Sequence, residues 1–295
     1  LRAGSFDDRV CSGLVRRRIL PAFPGYAAQG GRDAVARAAS AGAPPALEDE
    51  GGRVDLFERV ARLYEIDLRV PHGNVCRLRC DARHKRPLLP WHIGDLYEND
   101  PRRLVIVGKP HRADEPTEPR PAGTQDGRAT ADRLFRTKPW PFWRYTREIL
   151  GRLYGSPDEG WRRVVLTTIV KCTNATTGRA GGDTTSNTMK ECCIRQAGVI
   201  GDELGILAPR TVVLLTGSGY DPWLHRLCWQ YRQAWEDRTD RRKVVLCGGH
   251  PLPWWEAAIT GGGTHVRVLR VGHPRGKPIQ AYVTRVTDWI GRAPG

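Results

Sequence analysis

Eight cysteines stand in this chain of 295 residues, and their spacing is the first sign of chemistry. Cys76 and Cys80 form a close pair in NVCRLRC, Cys172 ends the apolar run of VLTTIVKCTNATTG, and Cys192 and Cys193 are adjacent in MKECC. Thiolates from distant parts of one chain can converge on zinc or on an iron–sulfur cluster, since both accept four cysteines. Burial as small apolar side chains is the alternative. Cys11, Cys228 and Cys247 are assigned to that class, because Cys228 lies in a Trp-rich helical pattern and Cys247 closes an apolar run.

The start LRAGSFDDRVCSG has no signal-peptide core, and no apolar run approaches the ~20 residues of a membrane helix. A cytosolic location is therefore expected, with reduced thiols and no disulfide framework. Lys and Arg number 47 against 32 Asp and Glu, a formal charge of +15, with the arginines spread along the whole chain. That excess points to a polyanionic partner, nucleic acid ahead of a membrane; a genome rich in Arg codons is the alternative source.

The elements that must carry these residues follow from periodicity. Residues 1–52 are rich in Ala, Gly and Pro and read as a loosely ordered extension. A folded domain is expected over 53–295, opening on a helix with Val54, Phe57, Val60, Ala61 and Tyr64 on one face. RLVIVG, RVVLTTIV, TVVLLTG and HVRVLRVG read as buried strands, alternating with helical patterns such as WRYTREILGRLYG and MKECCIRQAGVIGDELGIL; KVVLCGG reads as an extra or edge strand. This alternation predicts an α/β sandwich about a mostly parallel sheet. Ligands of such sheets sit beyond the carboxyl ends of the strands. Attention thus falls on KPHRADE, KCTNATTG, SGYDPW and HPRGKP, the segments that follow the four runs.

Taken in order, CRLRC, VIVGKPHRADE, PWPFWRYTREIL, TTIVKC, MKECC, APRTVVLLTG and VGHPRGKPIQAYVTRVTDWI resemble the uracil-DNA glycosylase superfamily, specifically its iron–sulfur branch, over roughly residues 70 to 290. The resemblance implies a three-layer αβα sandwich on a four-stranded, mostly parallel sheet, acting as a monomer on DNA. It implies a 4Fe-4S cluster held by Cys76, Cys80, Cys172 and Cys192. Cys192 is preferred to Cys193 because Met189 then takes the apolar position one turn earlier.

It also assigns roles around an extruded base. His273 matches the histidine that hydrogen-bonds the departing base, and Phe142 the aromatic on which the flipped base stacks. Lys171 and Asn174 follow the second strand, where phosphate or base is contacted, and Arg275 and Lys277 stand on a loop suited to phosphates. For each residue the plain alternative is a core aromatic, a structural histidine or a solvated loop charge.

Three features depart from the family pattern. Lys109 stands where a Glu handles water, which moves the acidic candidates to Asp114 and Glu115, with Asp114 expected to orient water or steady the sugar cation. Thr168 replaces the Asn that reads uracil, and a hydroxyl cannot reproduce the two-point reading of an amide. Residues 116–138 form an insertion, read as a long rim loop that enlarges the pocket. Together these departures resemble relatives that act on modified phage DNA. They imply excision of a hydroxymethylated or glucosylated cytosine, with uracil as the second substrate. A catalytically silent iron–sulfur protein that binds DNA, or a zinc-stabilised nucleic-acid-binding module, would carry the same cysteines.

Overall fold

The structure, a computed structural model, describes residues 55–64, 87–110, 116–120, 123–172, 185–196, 198–224, 235–236, 243–261 and 264–292. The chain divides into two units, Leu1–Gly52 and Arg53–Gly295. Every described residue belongs to the second, so the reading of 1–52 as an extension lies outside the described residues.

Four apolar runs form the parallel centre of the sheet: β2 (Leu104–Gly108), β5 (Val164–Thr168), β6 (Thr211–Leu214) and β10 (Thr264–Val271). They lie in the order β5-β2-β6-β10, with Gly108 beside Thr168, Val107 beside Leu214, and Leu214 beside Arg270. β2, β5 and β6 are buried along their whole length, as strands covered by helices on both faces are.

The expectation of four strands is corrected by what flanks them. β1 (His92–Ile93) adds antiparallel to β5, and β9 (His250–Gly261) adds antiparallel to β10. Both β7 (Trp235–Glu236) and β8 (Lys243–Cys247) then pair with β9, making a mixed sheet of eight strands. The sequence hid β9 because Pro251 and Pro253 interrupt its first half, and proline lacks the amide a ladder uses.

One face of the sheet is covered by α1 (Leu56–Arg62), α5 (Asn187–Lys190) with its π-helical continuation Glu191–Gln196, and α6 (Val199–Leu207). Val105, Val107, Val165, Val212 and Leu214 point into that layer. The other face is covered by α2 (Arg128–Thr137), α3 (Pro141–Tyr154), α4 (Pro157–Trp161) and α8 (Ile279–Gly291), packed on Ile106, Leu166, Val213, Leu269 and Val271. A short α7 (Asp221–Leu224) follows β6. Local chemistry sets the helix ends. The Asp55, Ser156 and Ser186 side chains accept amides in the first turns of α1, α4 and α5. Pro141 opens α3, and Gly155 closes it at φ 85°.

The insertion at 116–138 is folded rather than an open rim loop. It contains β3 (Glu118–Pro119), β4 (Gln125–Asp126) and α2, whose Ala131, Leu134 and Phe135 are buried. The Phe135 ring stacks on Trp161 with centroids 4.0 Å apart. An apolar face at helical spacing is what makes this segment fold.

Candidate functional site

The carboxyl ends of β5, β2, β6 and β10 bring several of the expected residues to one edge. Thr168 and Gly108 are register partners, so they project on the same face as Leu166 and Ile106, toward α3. Gly108 has no side chain there because the Phe142 ring occupies the place. A Cβ on Gly108 would lie 2.9 Å from Phe142 Cε2, inside any real contact distance. Phe142 is half-buried, and Trp143 meets it edge-on at 5.1 Å. Beside this ring the Thr168 hydroxyl is buried, 3 % exposed, and makes no hydrogen bond among the described residues. An unpaired buried hydroxyl costs about 1–3 kcal/mol, so its retention calls for a reason.

The loop after β10 carries His273, Arg275 and Lys277, and hydroxyls of two helices hold it. Tyr282 of α8 donates to the Gly272 carbonyl at 2.9 Å, and Tyr145 of α3 donates to the Lys277 carbonyl. Burial pushes both phenols up, so they remain protonated donors. Tyr145 lies one turn after Phe142, so a single helical face touches both the end of β2 and the His273 loop. The backbone N–H of Arg275 donates to His273 Nδ1 at 3.2 Å. A neutral imidazole held this way carries its proton on Nε2, where it can donate to an anion. Arg275 is exposed, while Lys277 reaches back to donate to the Pro251 carbonyl at 2.9 Å.

Lys171 is not at the DNA-facing surface expected for it. Its ammonium is 1 % exposed and pairs with Glu203, itself fully buried, at 2.8 Å. It also donates to Thr167 Oγ1 at 2.5 Å, Thr167 in turn bonds Glu203 at 2.6 Å, and the Tyr64 hydroxyl donates to Glu203 at 2.5 Å. Buried in this ion pair, the ammonium is withdrawn from the surface a phosphate would meet. The helical spacing of α6 held the clue, because Glu203 falls on the stripe of Ile200, Leu204 and Leu207, where a carboxylate must find a buried cation.

The thiols lie beside this network. The amide of Lys171 donates to Cys193 Sγ at 3.4 Å, and the expected ligand Cys192 is buried next to it in the chain. Tyr64 is raised well above the ordinary phenol by burial, then by Glu203 and by the Cys193 and Cys172 thiols. Pro87 forms a bridge opposite Cys172, and the Leu88 amide donates to the Lys171 carbonyl at 2.8 Å. Tyr64 and Pro87, which bound residues 65–86, thus both contact this corner. Cys76 and Cys80 belong to that segment and lie outside the described residues, as do Asp114 and Asn174. Among the described residues no group of three or more His, Cys, Asp or Glu is arranged to hold a metal ion. Among them, too, no helix is long and apolar enough to cross a membrane. Cys247 is buried as expected, and burial raises its thiol.

Two buried thiols with an amide donor to sulfur fit a thiolate-ligated iron–sulfur cluster, whose potential and stability depend on such hydrogen bonds. No family model, no curated protein and no solved structure matches this chain.

Proposed function

We propose that this protein is a DNA glycosylase that extrudes a modified pyrimidine from DNA, excises it and leaves an abasic site. A glucosylated or hydroxymethylated cytosine, of the kind found in phage DNA, is the first substrate and uracil the second. The observation that carries this reading is the buried hydroxyl of Thr168, without a hydrogen bond among the described residues, next to Gly108, against which the Phe142 ring lies, at the carboxyl edge that also bears the His273 loop. An extruded base offers a π-face to Phe142 and a polar edge to Thr168, which repays the hydroxyl its missing hydrogen bond.

Hydrolysis breaks the C1′–N1 bond, and its electron pair departs with the base. The sugar gains cationic character, and negative charge develops on N1 and O2. His273 donates from Nε2 to that oxygen, so the base leaves as a stabilised anion. A water molecule adds hydroxide to C1′, and its proton neutralises the base. Asp114 is the acid assigned to orient that water. A single hydroxyl can donate or accept, so Thr168 tolerates both the 4-amino group of cytosine and the 4-oxo group of uracil.

Cys172 and Cys192 or its neighbour Cys193, with Cys76 and Cys80, would hold a 4Fe-4S cluster; the group would tie together segments far apart in the chain. Arg275 supplies positive charge toward the backbone, and the formal charge of +15 favours the approach to DNA. Lys109, standing where the related enzymes carry an acid, favours a second reading, a silent iron–sulfur protein that binds DNA without cutting it.

The test is excision from duplexes carrying glucosyl-hydroxymethylcytosine, hydroxymethylcytosine or uracil, followed by alkali. Alkali-labile breaks at the modified cytosine, lost in His273→Ala, support the reading. Breaks at uracil alone would remove the modified-base substrate, and binding without breaks on any duplex would favour the silent protein.

A further inference from the structure

The β8–β9 hairpin continues the sheet past its carboxyl edge. The Gly272 amide donates to the Pro253 carbonyl at 3.0 Å, which fixes where β10 ends against β9. From Pro253 the ribbon runs back through His250 to the turn, rising about 10 Å beyond that point at ~3.3 Å per residue. The turn is Gly248–Gly249, both at positive φ (56° and 79°), as a two-residue hairpin of the I′ class requires. A Cβ on Gly248 would also lie 3.0 Å from Pro278, so the turn is seated against the end of the His273 loop.

The two faces of this ribbon differ. Cys247 is buried toward α8, and Val245 packs in the same cluster. Val244 and Leu246 point the other way and are 65 % and 64 % exposed, the two most exposed large apolar side chains among the described residues. Their partners across the ladder are Pro253 and Pro251, so the four residues form one apolar strip. Cations border it: Lys277 donates to the Pro251 carbonyl, Arg285 to the Leu246 carbonyl at 3.3 Å, and exposed Arg275 follows His273. Such a strip is costly to leave in water, and a border of cations suits a polyanion with apolar sugar and base surfaces.

We propose that the strip of Val244, Leu246, Pro251 and Pro253 docks against the DNA duplex beside the extruded nucleotide, its apolar side chains lying in the groove while Arg275 meets phosphate. The proposal rests on the glycosylase reading, because that reading sets DNA at the His273 loop. It predicts a contact whose strength is apolar rather than ionic.

The test is the affinity of the full chain for a labelled duplex containing a tetrahydrofuran abasic site, measured by anisotropy across a salt series. Val244→Thr with Leu246→Thr places β-branched residues, which suit a strand, at two exposed positions, so melting should match the wild type. Binding is expected to weaken at least about tenfold with the same salt slope, while Val244→Ile with Leu246→Ile binds as the wild type does. Arg275→Gln should instead lower the slope by about one. Unchanged affinity of the threonine variant, with the wild type bound, would overturn the strip alone. A wild type that self-associates through the strip, and separates in the threonine variant, would also overturn it. A wild type that binds no DNA would sink the glycosylase reading together with the strip.

Discussion

Thr167 and Thr168 are neighbours on β5, both buried, and they meet opposite conditions on the two faces of the sheet. Thr167 faces α6 and lies inside a closed polar network, donating to Glu203 and accepting from Lys171. Thr168 faces α3 and has an aromatic ring beside it and no hydrogen bond among the described residues. The first face uses buried polarity to fix the backbone that leads to Cys172. The second carries a polar group without a hydrogen bond among the described residues, as do Thr124, Thr146 and Thr216. The contrast sets a threonine fixed inside a polar network against the one that the proposed glycosylase reading assigns to a ligand.

The largest effect should come from breaking the closed network. Glu203→Leu leaves the Lys171 ammonium buried without its counter-charge, which costs about 3–5 kcal/mol. Urea titration should show that loss, and a variant as stable as the wild type would mean the pair is dispensable.

Acid should attack the other face. The His92 imidazole stacks on Trp161 at 3.7 Å and donates from Nε2 to the Trp161 carbonyl at 2.6 Å; burial pushes its pKa from 6.5 down to about 4. The unfolded chain therefore binds a proton that the folded one refuses. Stability from this group is complete above pH 6.5 and is lost as pH falls toward 4, by about 3 kcal/mol in total. His92→Gln should flatten that limb of a Tm-against-pH curve.

Smaller changes sharpen the comparison. Gly108→Ala drives a methyl into the Phe142 ring and should cost about 1–3 kcal/mol, as overpacking does, with weaker binding of abasic DNA. Thr167→Val should cost about 1–3 kcal/mol in urea titration, because two buried charges each lose a hydrogen bond. Thr168→Val removes a hydroxyl that bonds nothing in the described protein, so stability should stay within about 0.5 kcal/mol or rise.

The parallel centre of the fold was legible because RLVIVG, RVVLTTIV, TVVLLTG and HVRVLRVG are short runs dominated by Val, Leu and Ile, each bounded by polar residues or glycine. The antiparallel flank was not, since the prolines of β9 mask a strand that only its pairing with β8 and β10 defines. Of the candidate residues, Phe142, Thr168 and His273 stand out by their places at strand ends and a helix start, and the fold sets Thr168 and Phe142 around Gly108 and His273 just after β10. Lys171 could not be assigned correctly in isolation. A lysine after an apolar run looks exposed until Glu203, 32 residues later, supplies the charge that buries it. Cys192 and Cys193 fall in a π-helical turn, whose spacing no regular helical periodicity anticipates.

The most direct measurement is single-turnover excision of glucosyl-hydroxymethylcytosine from a duplex by the wild type and by Thr168→Val, with both melting curves recorded. The account predicts abasic sites from the wild type, at least about a tenfold slower rate in the variant, and superimposable melting. Equal excision rates, or no abasic product from the wild type, would contradict it.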